Sequence, residues 1–367
     1  MGAPPLVKRG PILLRLPVGT DGPLHPRYGK EVILDMQALL DRFRRYVKVD
    51  TTAVDETKEY PSSPGQIKLG KMLVQELKQL KLQKVSQDKH GIVTATVPGN
   101  TPGTPTIAWI AHLDTSPEAS GKNVTPVVHK NYNGKDIVLP GDKSKVIRVA
   151  DVEELGTLKG KTIITSDGTT LLGADDKAGV AIIMTAAAHL MANPGVKHGP
   201  IRVVFTCDEE VGRGTDKINL KEIGASAGYT LDGESVGLIE NETFSADLAT
   251  VTITGYNIHP GLAKGKMINA IRLAGLFLSR MPWQRLAPER TSDRDGFLHP
   301  YVLEGSVSEV KIKIVFRARS SCWRASVSRA MFASSEETSP KYWASSLLAC
   351  SSSCSGTFGG RGTSAGS

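Results

Sequence analysis

Two stretches near the start of the chain repeat their apolar residues at helical spacing. Val32, Leu34, Met36, Leu39, Leu40, Phe43 and Val47 predict a helix over 31–47, and Leu69, Met72, Leu73, Leu77 and Leu80 predict a second over 67–80. Short β-rich runs bounded by Gly, Pro and Asn follow: Gly91–Val97, Thr106–Ala111, Thr162–Thr165 and Ile201–Thr206. Gly179–Ala192 is almost wholly apolar and Ala-rich, which predicts a buried helix crossing over between two of these strands. A second strand, helix, strand series occupies Ala249–Thr254, Asn269–Met281 and Ser308–Phe316, so a smaller second domain starts near Phe244. The alternation of helices and strands makes the chain α/β.

The two ends do not share this pattern. Residues 1–30 hold six prolines and almost no acid, so they read as an extended leader; an organellar transit segment is the alternative, against which stand the lack of serine and of a clear amphipathic period. Residues 318–367 hold fifteen serines and three of the four cysteines, and no helical or strand period survives there. The ends also carry the charge. Five Lys/Arg against one Asp in 1–30, and five against two acids in 318–367, account for nearly all of the formal +8, which removes the argument for a nucleic-acid partner. With 40% apolar and 22% charged residues the chain is globular, and its apolar runs are too short for the roughly 20 residues of a membrane span. Cys207 stands alone in the patterned region, so a reducing compartment such as the cytoplasm is expected.

Candidate chemistry sits where strands end. In Ala111-His112-Leu113-Asp114-Thr115, after the strand at 106–111, His112 and Asp114 are two apart and face one side, at the end where α/β sheets bind ligands. An imidazole with a nearby carboxylate is a metal ligand with its orienting partner, although such a triplet alone is weak evidence against a surface pair. Gly173-Ala174-Asp175-Asp176-Lys177 leads into the buried helix; helix capping explains one of these acids more easily than two. Cys207-Asp208-Glu209-Glu210 closes a strongly apolar strand, where a solvated turn has no need of three acids, and Asp232 follows a further short apolar stretch. Four strand ends delivering carboxylate or imidazole to one edge of a sheet are what a two-metal hydrolase site requires, with zinc, cobalt or manganese suited to that donor set. A free glutamate beside the metals would take a proton from the attacking water.

The strings Ala-His-Leu-Asp-Thr-Ser-Pro (111–117), Leu-Leu-Gly-Ala-Asp-Asp-Lys-Ala-Gly (171–179), Asp-Glu-Glu-Val-Gly-Arg-Gly (208–214) and Asn-Ile-His-Pro-Gly-Leu-Ala-Lys-Gly (257–265) together resemble the tripeptide aminopeptidases among the dinuclear zinc M20 metallopeptidases, over about 31–317. The resemblance implies a mixed-sheet zinc-peptidase catalytic domain (31–243) with a smaller α+β lid domain (244–317). It implies two zinc ions per subunit, with His112 and Asp232 on one metal, Asp175 bridging both through a cis peptide to Asp176, and Glu210 on the second. Asp114 would orient His112, and Glu209 would be the general base. His259 would steady the tetrahedral intermediate and Arg317 would receive the peptide's terminal carboxylate; read alone, these two are a loop-capping histidine and a solvated arginine. The implied partners are short peptides, chiefly tripeptides, with a homodimer left open and neither nucleic acid nor membrane expected.

The chain departs from the family after Arg317. The family continues with the rest of the lid and returns to the catalytic domain with a final histidine for the second metal, whereas here the Ser/Cys-rich segment follows and reads as an aberrant tail. His299, in a loop at 296–300, does not suit that ligand. A weakened second zinc site is therefore expected, and the alternatives to an active aminopeptidase are an inactive truncated fragment or a related M20 hydrolase of dipeptides or acylated amino acids.

Overall fold

The computed structural model describes residues 34–233, 238–241, 245–292 and 295–318. The leader expected at 1–30 and the tail expected at 318–367 lie outside them, apart from Ala318. The chain divides into two compact units between Leu238 and Ile239, and each is described by itself.

The first unit runs α1 (Met36–Tyr46), α2 (Pro64–Gln79), β1 (Gln83–Gln87), β2 (Val93–Val97), β3 (Ile107–His112), β4 (Val127–His129), β5 (Ile137–Val138), β6 (Val146–Ile147), α3 (Glu153–Thr157), β7 (Ile163–Thr165), α4 (Ala174–Ala192), β8 (Ile201–Thr206), α5 (Leu220–Ile223) and β9 (Ala227–Thr230). Five strands form a mixed sheet in the order β1-β2-β8-β3-β9. β3 lies between β8 and β9 and runs parallel to both, while β2 pairs with β8 and with β1 in antiparallel fashion. The parallel trio fixes the direction of the site, because three neighbouring strands end on one edge.

The apolar faces read from the sequence become one core. Leu39, Leu40 and Phe43 of α1, Leu69, Leu73 and Leu77 of α2, and Val180, Ile183 and Met184 of α4 bury against Val93, Ala95, Val203 and Phe205 of the sheet. α1 opens on a true cap, with the Asp35 carboxylate accepting from Ala38 N. The other face is covered more thinly, by Ile218, Ile223 and Ala225 against Ile92, Ala108 and Val204. Burial on both faces is why β8 reads as an unbroken apolar run over Val203–Phe205 rather than an alternating one.

Several expectations need correction. β7, expected to be joined by the buried helix to a neighbour in the same sheet, pairs with β4 in a separate two-stranded sheet. Ile163 of β7 joins a small core with Tyr132, Ile137, Leu139, Ile147, Leu155 and Leu158, while Ile164 is buried in the main core. The crossover that α4 completes is the one between the parallel strands β3 and β8. β1 and β9 have largely exposed side chains and so show no apolar alternation.

The second unit contains β10 (Ser245–Thr254), α6 (Ala270–Ser279), α7 (Trp283–Leu286), β11 (Phe297–Gly305) and β12 (Glu309–Ala318). Its antiparallel sheet has the order β10-β12-β11, with Thr254 opposite Glu309 and Ala246 opposite Arg317. Ala270 and Ala274 of α6 bury with Leu298, Val310, Ile312 and Ile314. His299, expected in a loop, lies in β11 opposite Val315. Pro300 hides this strand from a periodicity reading, since the strand register shifts between Pro300 and Val302. Among the described residues no helix is long and apolar enough to cross a membrane.

Candidate active site

The C-terminal edge of the parallel trio gathers five side chains, those of His112, Asp175, Glu209, Glu210 and Asp232, from four segments. His112 is the last residue of β3, Glu209 and Glu210 follow β8, and Asp232 follows β9, drawn in by Leu231 N donating to Ile110 O at 2.9 Å. Asp175 arrives differently. It stands at the start of α4 rather than at a strand end, after Gly173, whose φ of +73° turns the chain into the helix. The expectation of four strand ends is thus corrected to three strand ends and one helix start, and the peptide between Asp175 and Asp176 is cis.

His112 is 2% exposed, and its Nε2 is the hub. Asp175 Oδ1 lies 2.9 Å away, Asp232 Oδ2 3.7 Å and Glu209 Oε2 3.9 Å. Nδ1 faces Asp114 Oδ1 at 3.4 Å. Asp114 is completely buried and holds more than the imidazole: its two oxygens accept from Glu209 N and Glu210 N, each at 3.0 Å. One carboxylate thereby orients the ring and pins the loop that carries the two glutamates.

The acid pair at the start of α4 divides its work. Asp175 turns toward His112, while the buried Asp176 accepts from His112 N at 3.1 Å and from Gly179 N at 3.1 Å. Asp176 is a residue that sequence reasoning did not assign; the only signal was that capping explains two adjacent acids poorly. Gly179 is required by close approach, since a Cβ there would lie 2.3 Å from Asp176 Oδ1 and 2.4 Å from Leu231 O. Any side chain would push α4 away from the segment that delivers Asp232.

Two groups of donors have their ligand atoms within 4.8 Å of one another: His112 with Glu209 and Asp232, and His112 with Asp175 and Glu210. One imidazole among four carboxylates is a borderline-to-hard donor set of the kind that divalent zinc, cobalt or manganese accept. The electrostatics favour positive charge in this cluster. Burial, with Asp175 and Glu209 adding to it against the opposing pull of His112, lifts Asp232 to about 7. Burial likewise holds the Asp176 carboxyl well above the usual carboxylate range. Burial pushes the His112 imidazole down, but the carboxylates of Asp114, Asp175 and Asp176 outweigh it, so the ring holds its proton well above the ordinary histidine range. A cation would replace these protons.

Cation affinity should therefore rise with pH. Below about pH 7 the proton on Asp232 competes with the ion, so zinc affinity measured by chelator competition is expected to weaken up to about tenfold per pH unit per proton displaced, between about pH 8 and about pH 6. Affinity independent of pH over that range would contradict the donor set.

His259 and Arg317 belong to the second unit. His259 is exposed and caps a short 3-10 turn at Pro260–Leu262, its Nδ1 accepting from Gly261 N at 3.1 Å. Arg317 lies within β12 rather than after its end, with its guanidinium 5.8 Å from the centre of the Phe297 ring.

With the geometry in place, the chain belongs to peptidase family M20/M25/M40, whose family model matches residues 166–350. Within that family it is similar to the peptidase T of Geobacillus thermodenitrificans, at 48% identity over 282 residues, covering 77% of this chain and 68% of that one. The peptidase T of Halothermothrix orenii is 46% identical over 283 residues, covering 77% and 69%. Among solved structures, the aminopeptidase PepT from Bacillus cereus matches with a TM-score of 0.57 and 25% identity, over 82% of this chain and 71% of that chain. A tripeptidase from Staphylococcus aureus has the same fold, with a TM-score of 0.57 at 22% identity.

Proposed function

We propose that the chain is a metal-dependent aminopeptidase that releases the N-terminal residue of short peptides, tripeptides foremost, at a site for two zinc ions with Glu209 as general base. The observation that carries this reading is the convergence of two donor groups on one buried imidazole. His112 and Asp232 would hold the first ion, Glu210 the second, and Asp175 would be shared between them. When bound, the ions supply Lewis-acid polarisation of the scissile carbonyl and make water a better nucleophile near neutral pH.

The chain's own residues do the rest. Asp114 fixes the orientation of His112 and holds the main chain at Glu209 and Glu210, so neither ligand nor base has to reorganise. Glu209, at 53% side-chain exposure, is open to the water and substrate it must reach. It takes the proton of the attacking water and hands it to the departing amine, a part that suits a carboxylate close to the metals but less embedded than Asp175. From the second unit, His259 would stabilise the oxyanion and Arg317 would receive the peptide's terminal carboxylate, for which a guanidinium fork is the fitting partner. Peptidase T and tripeptidase relatives support the same substrate class.

A specific observation favours a weaker second site. With His112 and Asp232 assigned to the first ion, the donors left to the second among the described residues are Glu210 and the shared Asp175, with no imidazole of its own. The second zinc is therefore expected to dissociate first.

The full chain incubated with Ala-Ala-Ala is expected to release free alanine when supplied with zinc or cobalt, to stop on addition of a chelator, and to resume when metal is restored. A chain loaded with metal that releases no amino acid from any tripeptide overturns the aminopeptidase reading.

A further inference from the structure

We propose that Gln66 and Ser62, at the start of α2, act through Asp208 as positioning residues that clamp the Glu209–Glu210 elbow in place. Asp208 is completely buried and has a φ of +59°, a left-handed backbone that aspartate tolerates better than most non-glycine residues and that is fixed here by hydrogen bonds to both its main chain and its side chain. Those surroundings come from more than 140 positions upstream. Ser62 N donates to Asp208 Oδ2 at 2.8 Å, and Ser62 Oγ and Gln66 Nε2 donate to Asp208 Oδ1 at 2.6 Å each. The Gln66 amide also accepts from Asp208 N at 3.0 Å, so one side chain grips both the carboxylate and the main chain of the same residue. Gln66 is itself completely buried.

The clamp has a firm base. A Cβ on Gly65 would lie 1.7 Å from Asp50 O, so the start of α2 is seated against the segment before it and has no room to slide. On the far side of the elbow, Arg213 N donates to Asp208 O at 2.8 Å, and its guanidinium reaches Glu59 O at 2.9 Å and Thr57 O at 3.3 Å. The next two amides after Asp208 are those that Asp114 accepts. The elbow is thus held at consecutive residues, by α2 on one side and by the carboxylate that orients His112 on the other. A buried carboxylate needs hydrogen-bond donors to offset its desolvation in any fold. The observation that goes further is the two-point grip of a neutral amide, which sets the direction of the chain immediately before Glu209.

The consequence for metal binding rests on the proposed roles of Glu209 and Glu210, and the test separates the two. Three variants of the full chain are made: Asp208→Asn, Gln66→Glu, and both together. Each single change sets like groups against each other, whereas in the pair the new amide at 208 donates to the new carboxylate at 66, which still accepts from the main-chain N–H at 208. Hydrogen exchange of the metal-free chains is read on peptides covering 207–212. Each single variant is expected to exchange at least about tenfold faster there, with peptides from α4 unchanged, and the pair to return to within about threefold of the parent. Cobalt titration is expected to show about 10- to 100-fold weaker binding in the singles and recovery in the pair. Singles that exchange like the parent, or a pair no better than the singles, overturn the clamp. If a single variant does not fold, Ser62→Ala gives a milder loss with the same expected direction, and unchanged exchange there overturns it too. A parent chain that binds no cobalt would overturn the metal reading instead, while the exchange experiment still decides the clamp.

Discussion

Glu209→Gln is expected to slow tripeptide hydrolysis by about 10²- to 10⁴-fold while leaving metal binding at the His112–Asp175–Glu210 group intact. The substitution keeps the size of the side chain and the main-chain N–H that Asp114 accepts, so the elbow stays where it is. What it removes is a group able to take a proton. Asp175, at 2.9 Å from His112 Nε2, remains to hold an ion, whereas the Glu209 carboxylate stands 3.9 Å from the same nitrogen. The measurement is kcat at saturating peptide, paired with elemental analysis of the purified chains. An equal fall in metal content and activity would make Glu209 a ligand rather than the base, and unchanged kcat would remove it from the chemistry.

His112→Ala is expected to act on binding itself. His112 is the only nitrogen donor in either donor group, so its loss strips the imidazole from the first ion and removes the ring about which the second group is also arranged. If a site of about four donors supplies roughly 10 to 16 kcal/mol, removing one costs on the order of 3 kcal/mol, about two orders of magnitude in affinity. The ring also separates carboxylates that would otherwise face each other across the cavity: Asp114 on the Nδ1 side, and Asp175, Asp232 and Glu209 on the Nε2 side. Zinc titration of the parent and variant chains checks this, and a variant that still binds two ions with parental affinity would show that the hub lies elsewhere.

Much of this site is legible in the order of residues alone, for a simple reason. His112 and Glu209 each follow a buried apolar strand, where a polar group is conspicuous against its neighbours, whereas Asp232 is marked only by the short stretch Tyr229–Leu231 before it. Asp175 is legible because two acids beside a buried helix exceed what capping explains. What escapes is the division of labour. Nothing in the sequence says that Asp175 turns to the imidazole while Asp176 turns to the main chain of His112. Gln66 and Ser62 escape entirely, because a glutamine inside an amphipathic helix looks like any solvated position until Asp208 is folded against it.

The fold shows the same boundary. Helices α1, α2 and α4 are readable because an apolar stripe or an unbroken apolar run states that a face must be buried. The strands β1, β9 and β11 are not: the first two bury little, and Pro300 interrupts the third.

The sequence by itself determined which residue types stand at the ends of the buried strands, and through them the α/β class and the hydrolytic metal chemistry. Only the tertiary structure decided that β3 runs between β8 and β9 in parallel, which brings His112, Glu209 and Asp232 to one edge, and that Asp208 is held from α2. The physical reason is range. Periodicity and local chemistry record whether a residue meets water or the core, whereas strand order and a hydrogen bond across more than 140 residues depend on which surfaces pair, and many pairings satisfy the same local pattern.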